Sequence, residues 1–124
     1  RHPGRSVVAL AGDGCFLMNG QELATAVQHG VSLLVLVIDN GTYGTIRMHQ
    51  AREFPGRPIA TRLANPDFAA LARAYGCWAD TVERTEDFAS ALTRAMEQPG
   101  VRLLHLKTDV DAITAGTTLT AIEG

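Results

Sequence analysis

Val7-Val8-Ala9-Leu10-Ala11-Gly12-Asp13-Gly14 is an apolar run closing on a glycine-flanked carboxylate. Leu33-Leu34-Val35-Leu36-Val37-Ile38-Asp39-Asn40-Gly41 is a second run, closing on an acid, an amide and a glycine. The unbroken apolar character of Leu33 to Ile38 predicts a parallel strand covered on both faces, here taken as Ser32 to Asp39. Ser6 to Ala11 predicts a first strand of the same fully buried kind. If the two strands are parallel neighbours, the side chains of Asp13 and Asn40 stand side by side at the carboxyl edge of the sheet, although residues 14 to 39 separate them along the chain.

Outward from these runs, strands and helices alternate. Asn19, with Glu22 three residues on, reads as a capping box opening a helix that Gly30 stops; Leu23, Ala26 and Val27 share one of its faces. Gly41 to Gly44 is a turn-rich loop and Thr45 to Arg52 a short helix. Glu53 to Ala64, with Pro55-Gly56 and Pro58, reads as an irregular surface loop. Asn65-Pro66-Asp67 has the order of an N-cap, a proline at the first helical position and an acid at the positive end of the dipole; the helix it opens runs to Tyr75 and stops at Gly76. Its face of Phe68, Leu71 and Ala72 is a packing face. Cys77 to Val82 is a third strand, Thr85 caps a helix ending near Pro99-Gly100, and Val101 to Thr108 is a fourth strand. The order β-α-β-α-α-β-α-β predicts an α/β fold, a doubly wound, mainly parallel sheet with helices on both faces. Right-handed crossovers then put both polar loops at the edge where open α/β sheets bind ligands.

At 124 residues the chain fits a single domain, 1–124, with 109–124 as a tail of little periodicity. A formal charge of -2 and scattered arginines, with Lys107 the only lysine, give no footprint for nucleic acid or an anionic membrane. No apolar run reaches membrane-spanning length. Cys15 and Cys77 are too few for a disulfide framework and point to a reducing, cytoplasmic setting, with Cys77 a small core residue. The histidines His2, His29, His49 and His105 have no metal-site spacing. A start at Arg1, a few residues before a buried strand, reads as a piece cut from a longer polypeptide.

Gly12 and Gly14 let a ligand approach the backbone closely, and Gly14-Cys15 can aim N–H groups at phosphate oxygens. The Asp13 carboxylate, the Asn40 amide oxygen, a carbonyl from the Gly41-Thr42 turn, two phosphate oxygens and a water make the octahedral oxygen set that Mg²⁺ requires. Taken alone, each motif is a turn; at matched strand ends, together, they make a cation–diphosphate site.

Gly12-Asp13-Gly14 followed at this distance by Asn40 resembles the thiamine diphosphate-binding motif of thiamine-dependent enzymes. Gly41-Thr42-Tyr43-Gly44 and the stretch Cys15-Phe16-Leu17-Met18-Asn19-Gly20-Gln21-Glu22-Leu23 narrow the resemblance to the C-terminal, diphosphate-binding domain of the acetolactate synthase and 2-oxo acid decarboxylase group. The resemblance implies that Asp13 and Asn40 ligate Mg²⁺ through side chains and Thr42 through its carbonyl. It implies that Gly12, Gly14 and Cys15, with Tyr43, Gly44 and Thr45, line the diphosphate, and that Leu17 and Met18 approach the aminopyrimidine. One departure stands out: the group often has two consecutive asparagines, and Asp39 occupies the first place, so Asp39→Asn is expected to be mild. The glutamate that activates the cofactor lies on another domain in this group, normally from a neighbouring subunit. No residue here takes that role, Glu22 is assigned to the cap, and the piece alone is expected to be catalytically silent. The implied partners are therefore the remaining domains, a second subunit and a 2-oxo acid substrate.

Smaller candidates surround the loop. His49 could shuttle protons or simply be exposed, Arg47 could meet a substrate carboxylate or only solvent, and Trp78 reads as filler. Ile113 to Ile122 resembles the end of the group that folds over the active site, where composition alone gives a loose terminus. Two alternatives compete. A receiver-like signalling module shares the length and the late-strand lysine, which Lys107 would mimic, but only Asp13 follows the first strand and Asp39 comes too soon to be the phosphoacceptor. A degenerate domain, kept for assembly, would have the fold without cofactor binding.

Overall fold

The apolar run Leu33–Asp39 is strand β2, and it lies inside a four-stranded sheet between β1 (Val8–Gly12) and β4 (Val101–Lys107), with β3 (Trp78–Val82) beyond β4. The computed structural model describes residues 4–124, so His2 and Arg1 fall outside the described residues. All three strand pairs are parallel, and the order is β1-β2-β4-β3. The register sets Gly12 opposite Ile38 and Asp39 opposite Lys107, so the polar ends of β1, β2 and β4 meet at one edge. A receiver module carries its first strand inside the sheet; here β1 is at the edge, beside β2 alone.

Alternation along each strand divides the core in two. Val35, Val37 and Leu103 face helices α1 (Asp13–Asn19), α2 (Glu22–Gln28) and α4 (Phe68–Ala74), where Phe16, Leu23, Phe68 and Ala72 are buried against them. Leu34, Leu36, Leu104 and Val82 face α5 (Phe88–Glu97) through Ala91 and Ala95, and Trp78 packs beside them. Helices on both faces of a parallel sheet are thus observed. Full burial of leucines such as Leu34, Leu103 and Leu104 stabilises the fold by roughly 1.5–3 kcal/mol each.

Three expectations change. Strand β1 is not buried on both faces: Val8 and Leu10 are exposed, Leu10 at 73%, because β1 is an edge strand and α5 packs over β3 and β4 at the other end of the sheet. Asn19 is not an N-cap. The helix begins at Asp13, straight out of β1, and Asn19 is its last residue; Gly20 and Gln21 keep right-handed helical backbone into α2, leaving none of the extended geometry a cap needs. Glu22 accepts instead from the Thr25 hydroxyl at 2.8 Å. The cap of α4 is Asp67, whose carboxylate accepts from the Ala70 N–H at 2.9 Å, and Asn65 is released for other work. Thr85 likewise falls inside a short 3₁₀ turn, Thr85–Asp87, that leads into α5.

The helix stops hold. At Gly30, φ +60°, the N–H groups of Gly30 and Val31 bond back to Val27 and Ala26, and Gly76, φ +86°, repeats the arrangement with Cys77, Arg73 and Ala72. The last segment is no loose tail. Thr118 caps α6 (Leu119–Glu123), Asp111 accepts from the Thr120 backbone and hydroxyl, Leu119 is buried, and Glu123 pairs with Arg47 on α3 (Gly44–Glu53) at 2.7 Å.

Candidate functional site

Strand β1 passes directly into α1, and β2 reaches α3 through the loop Asn40–Tyr43. Both helices therefore start at the carboxyl edge of the sheet, and the N–H groups of a first helical turn have no partner within the helix. Between these two starts lies a cavity of about 370 Å³ lined by Gly12 to Cys15, Ile38, Asn40, Thr42 to Ile46 and Ile113. Two positive helix ends facing one cavity favour an anion.

The loop geometry is fixed from within. Gly41, at φ +69°, donates its N–H to Asp13 Oδ2 at 2.9 Å and to Asp39 Oδ1 at 3.1 Å. Asn40 Oδ1 accepts from the Thr42 N–H at 3.1 Å. The supposed surface loop Glu53–Ala64 is exposed along most of its length, but its end returns to brace this turn. The Thr61 carbonyl accepts from the Tyr43 N–H and the Thr42 hydroxyl, both at 2.8 Å, and Leu63 N–H bonds to the Gly41 carbonyl. Gly14 is glycine because the Tyr43 ring lies over it: a Cβ there would stand 2.5 Å from Tyr43 Cε1. Gly12 has the opposite character. A Cβ at this position would meet nothing within 4 Å.

Asp13 is buried and is the only carboxylate lining the cavity among the described residues. Its Oδ1 accepts from the Gly14 N–H at 2.8 Å, and its Oδ2 accepts from Gly41 N–H and from Asn65 Nδ2 at 2.7 Å. Asp39 is also buried but faces away from the cavity. Its Oδ1 accepts from Asn65 Nδ2 at 2.7 Å, and its Oδ2 accepts from Lys107 Nζ and His105 Nε2, each at 2.7 Å. An ionised carboxylate has no proton to give, so His105 carries its proton on Nε2. Burial pushes Asp39 up, but the hydrogen bonds from Lys107, His105 and Asn65, with the charge of Lys107, outweigh it and hold the carboxyl far below the usual carboxylate range. Lys107 thus compensates the extra acid that Asp39 brings.

The donor set fits a hard cation with a diphosphate. Among the described residues no three His, Cys, Asp or Glu side chains gather as a metal site, and the protein oxygens that could meet a cation at this cavity are those of Asp13, Asn40 and Thr42, with oxygens of the cation's own ligand to complete the set. That is how Mg²⁺ is usually held with phosphates.

Residues 1–106 match the family described as thiamine pyrophosphate enzyme, C-terminal TPP binding domain. The chain belongs to this family. It is 35% identical over 112 residues to an acetolactate synthase of Arthrospira platensis, covering 89% of this chain and 19% of that protein. It is 36% identical over 108 residues to the acetolactate synthase isozyme 2 large subunit of Escherichia coli, covering 86% and 20%. Among solved structures, the thiamine diphosphate-dependent 4-hydroxybenzoylformate decarboxylase of Rhodococcus jostii superposes with a TM-score of 0.79 at 29% identity, over 86% of this chain and 20% of that one. The chain thus spans about a fifth of the length of the relatives it matches.

Nine of the residues singled out from sequence, Gly12, Asp13, Gly14, Cys15, Asn40, Thr42, Tyr43, Gly44 and Thr45, line the one cavity. Leu17 and Met18 do not; they stand exposed further along α1. Ile38 and Ile46 line the cavity without having been singled out for it, since an isoleucine carries no signal beyond packing, and Ile113, the first residue of the segment likened to the family's C-terminal end, joins them. His49 is exposed and outside the cavity, and Gln50 holds the Ile59 backbone by both its donor and its acceptor. Arg47 is taken by Glu123. Glu22 is exposed, outside the lining. Asn65, His105 and Lys107 are the members that sequence reading passed over.

Proposed function

We propose that this chain is the Mg²⁺–thiamine diphosphate-binding domain of a thiamine-dependent, non-oxidative 2-oxo acid decarboxylase or carboligase of the acetolactate synthase kind, a lyase or transferase. The observation that carries this is one cavity framed by two helix starts, with Asp13 and Asn40 in its lining. In this reading Asp13, Asn40 and the Thr42 carbonyl hold the cation. The amides of Cys15 and of Gly44 to Ile46 receive the diphosphate, whose charge the cation offsets against Asp13. Tyr43, Ile46 and Ile113 supply apolar walls, and Ile113 brings the C-terminal segment to the cavity. Leu17 and Met18, exposed beside it, offer a surface for the aminopyrimidine end once a partner covers them.

Bound thiamine diphosphate supplies the electron sink for decarboxylation; the protein binds and orients it. As the family resemblance implies, the activating glutamate comes from a second subunit and the remaining domains complete the substrate pocket; Asp13, held by three donors, and Glu22, outside the cavity, do not take that role. The parent is then an oligomer of the reducing cytoplasm, and the chain by itself is catalytically silent. Among the described residues no helix is long and apolar enough to cross a membrane.

The test is an amide-resolved NMR titration with thiamine diphosphate, with and without Mg²⁺. Metal-dependent shifts confined to residues 12–18 and 40–46 are expected. A folded protein without shifts, together with an intact parent that binds no cofactor, would assign the domain to assembly instead.

A further inference from the structure

Asn65 has no task in the site as proposed, yet it makes two short hydrogen bonds at its edge. Its amide nitrogen lies 2.7 Å from Asp13 Oδ2 and 2.7 Å from Asp39 Oδ1. A primary amide has two N–H donors, and here both are given to carboxylates from different strand ends. Gly41 N–H bridges the same two oxygens. Asp39 is in turn fixed by Lys107 and His105 through its other oxygen. With two donors on it, Asp13 Oδ2 has no lone pair to spare; Oδ1, with the Gly14 N–H alone, keeps one.

We infer that Asn65 is a positioning residue for the cation site: it clamps Asp13 to the Asp39–Lys107 pair, so that Asp13 meets the cation through Oδ1 alone. This rests on Asp13 being the carboxylate that holds the cation. The clamp has a physical purpose. Two buried carboxylates this close repel unless donors stand between them, and a carboxylate free to turn would offer the cation a changing set of oxygens. Asn65 supplies the donors and blocks the rotation. Its position is available because α4 takes its cap from Asp67, two residues later.

The experiment measures Mn²⁺ binding in the presence of thiamine diphosphate by electron paramagnetic resonance, which reports both affinity and the symmetry of the metal's ligands. The samples are the unaltered protein, Asp13→Ala, Asn65→Ala, Asn65→Ser and Asp67→Ala. Removing an outer partner of a metal ligand weakens metal affinity about 10–100-fold; that loss, with an altered spectrum of the residual complex, is expected for Asn65→Ala. Asn65→Ser, which keeps one donor, is expected to fall between, and it stands in if Asn65→Ala does not fold. Asp67→Ala removes the neighbouring helix cap; its carboxylate reaches the network only at His105 Nδ1, 3.8 Å away and beyond hydrogen-bond distance, and touches no cation ligand, so it is expected to lower stability and leave affinity and spectrum alone. Unchanged affinity and spectrum in both Asn65 variants, or an equal loss in Asp67→Ala, overturns the clamp. No Mn²⁺ binding by the unaltered protein, or equal binding by Asp13→Ala, overturns the cation site itself and the clamp with it.

Discussion

Asp39 shows how a single substitution of oxygen for nitrogen matters at the residue scale. The side chain accepts on all sides: Asn65 and Gly41 on Oδ1, Lys107 and His105 on Oδ2. An asparagine there turns an NH₂ toward one of those donor pairs, so Asp39→Asn carries a cost in stability, separate from the resemblance-based expectation that it is mild for cofactor binding. We expect Asp39→Asn to lower stability by about 1–3 kcal/mol, the usual cost of unsatisfied buried polar groups. Urea denaturation checks this, and an unmoved midpoint would overturn it. Gly14 carries a steric constraint of a different kind. Gly14→Ala puts a methyl into the Tyr43 ring and must displace it, at about 1–3 kcal/mol. Since Tyr43 lines the cavity, nuclear Overhauser contacts between residue 14 and the ring should change even where the melt is only slightly lowered.

At the element scale, burial does not follow apolar content: β1 carries no charged or polar side chain and β4 carries Arg102, His105 and Lys107, yet β4 is the more buried. β4 has a neighbour on each side and helices on each face, whereas β1 has one neighbour and its Val8–Leu10 face is open. Leu10→Thr is therefore expected to change stability by no more than about 0.5 kcal/mol, and Leu103→Ala to cost about 2–5 kcal/mol. Thermal melts of the two variants decide this, and a large loss at Leu10 would mean that β1 is covered in solution. The helix starts belong to this scale as well. Both Asn19 and Asn65 read as caps, and neither is one, because a cap is defined by where the backbone turns helical. Backbone geometry placed that point at Gly12 in the first case and at Asp67 in the second.

For the whole molecule, three aspartates link the fold to pH. Asp39 is held low against burial as described; Asp67 is lowered by the Ala70 N–H of its helix, and Asp80 by its hydrogen bond with Arg94. Each binds its proton less readily when folded than in the unfolded chain, where 3.8 is the ordinary value. The unfolded state then takes up more protons as pH falls, so the stability these groups contribute is present above about pH 4 and is lost below it. The urea midpoint is expected to be level from about pH 7 to 5 and to decline toward pH 3. A midpoint as high at pH 3 as at pH 7 would show that the Asp39 cluster adds nothing to the fold.

What the sequence determined by itself was local or periodic. An apolar run without alternation makes a buried parallel strand of Leu33–Asp39, glycine with positive φ stops helices at Gly30 and Gly76, and a glycine-flanked acid at a strand end marks Asp13. Such signals come from backbone sterics and burial over a few residues, and together with the family resemblance they named nine residues that line one cavity. Only the tertiary structure decided that β1 is the edge, that residues 109–124 fold back onto α3, and that Asn65, His105 and Lys107 converge on Asp39 and Asp13. In the sequence these three read as a cap, a histidine without metal-site spacing and a lysine late in a strand. Their common task follows from strand order and register, which set residues far apart in the chain within hydrogen-bond reach, and no local pattern of residues encodes that meeting.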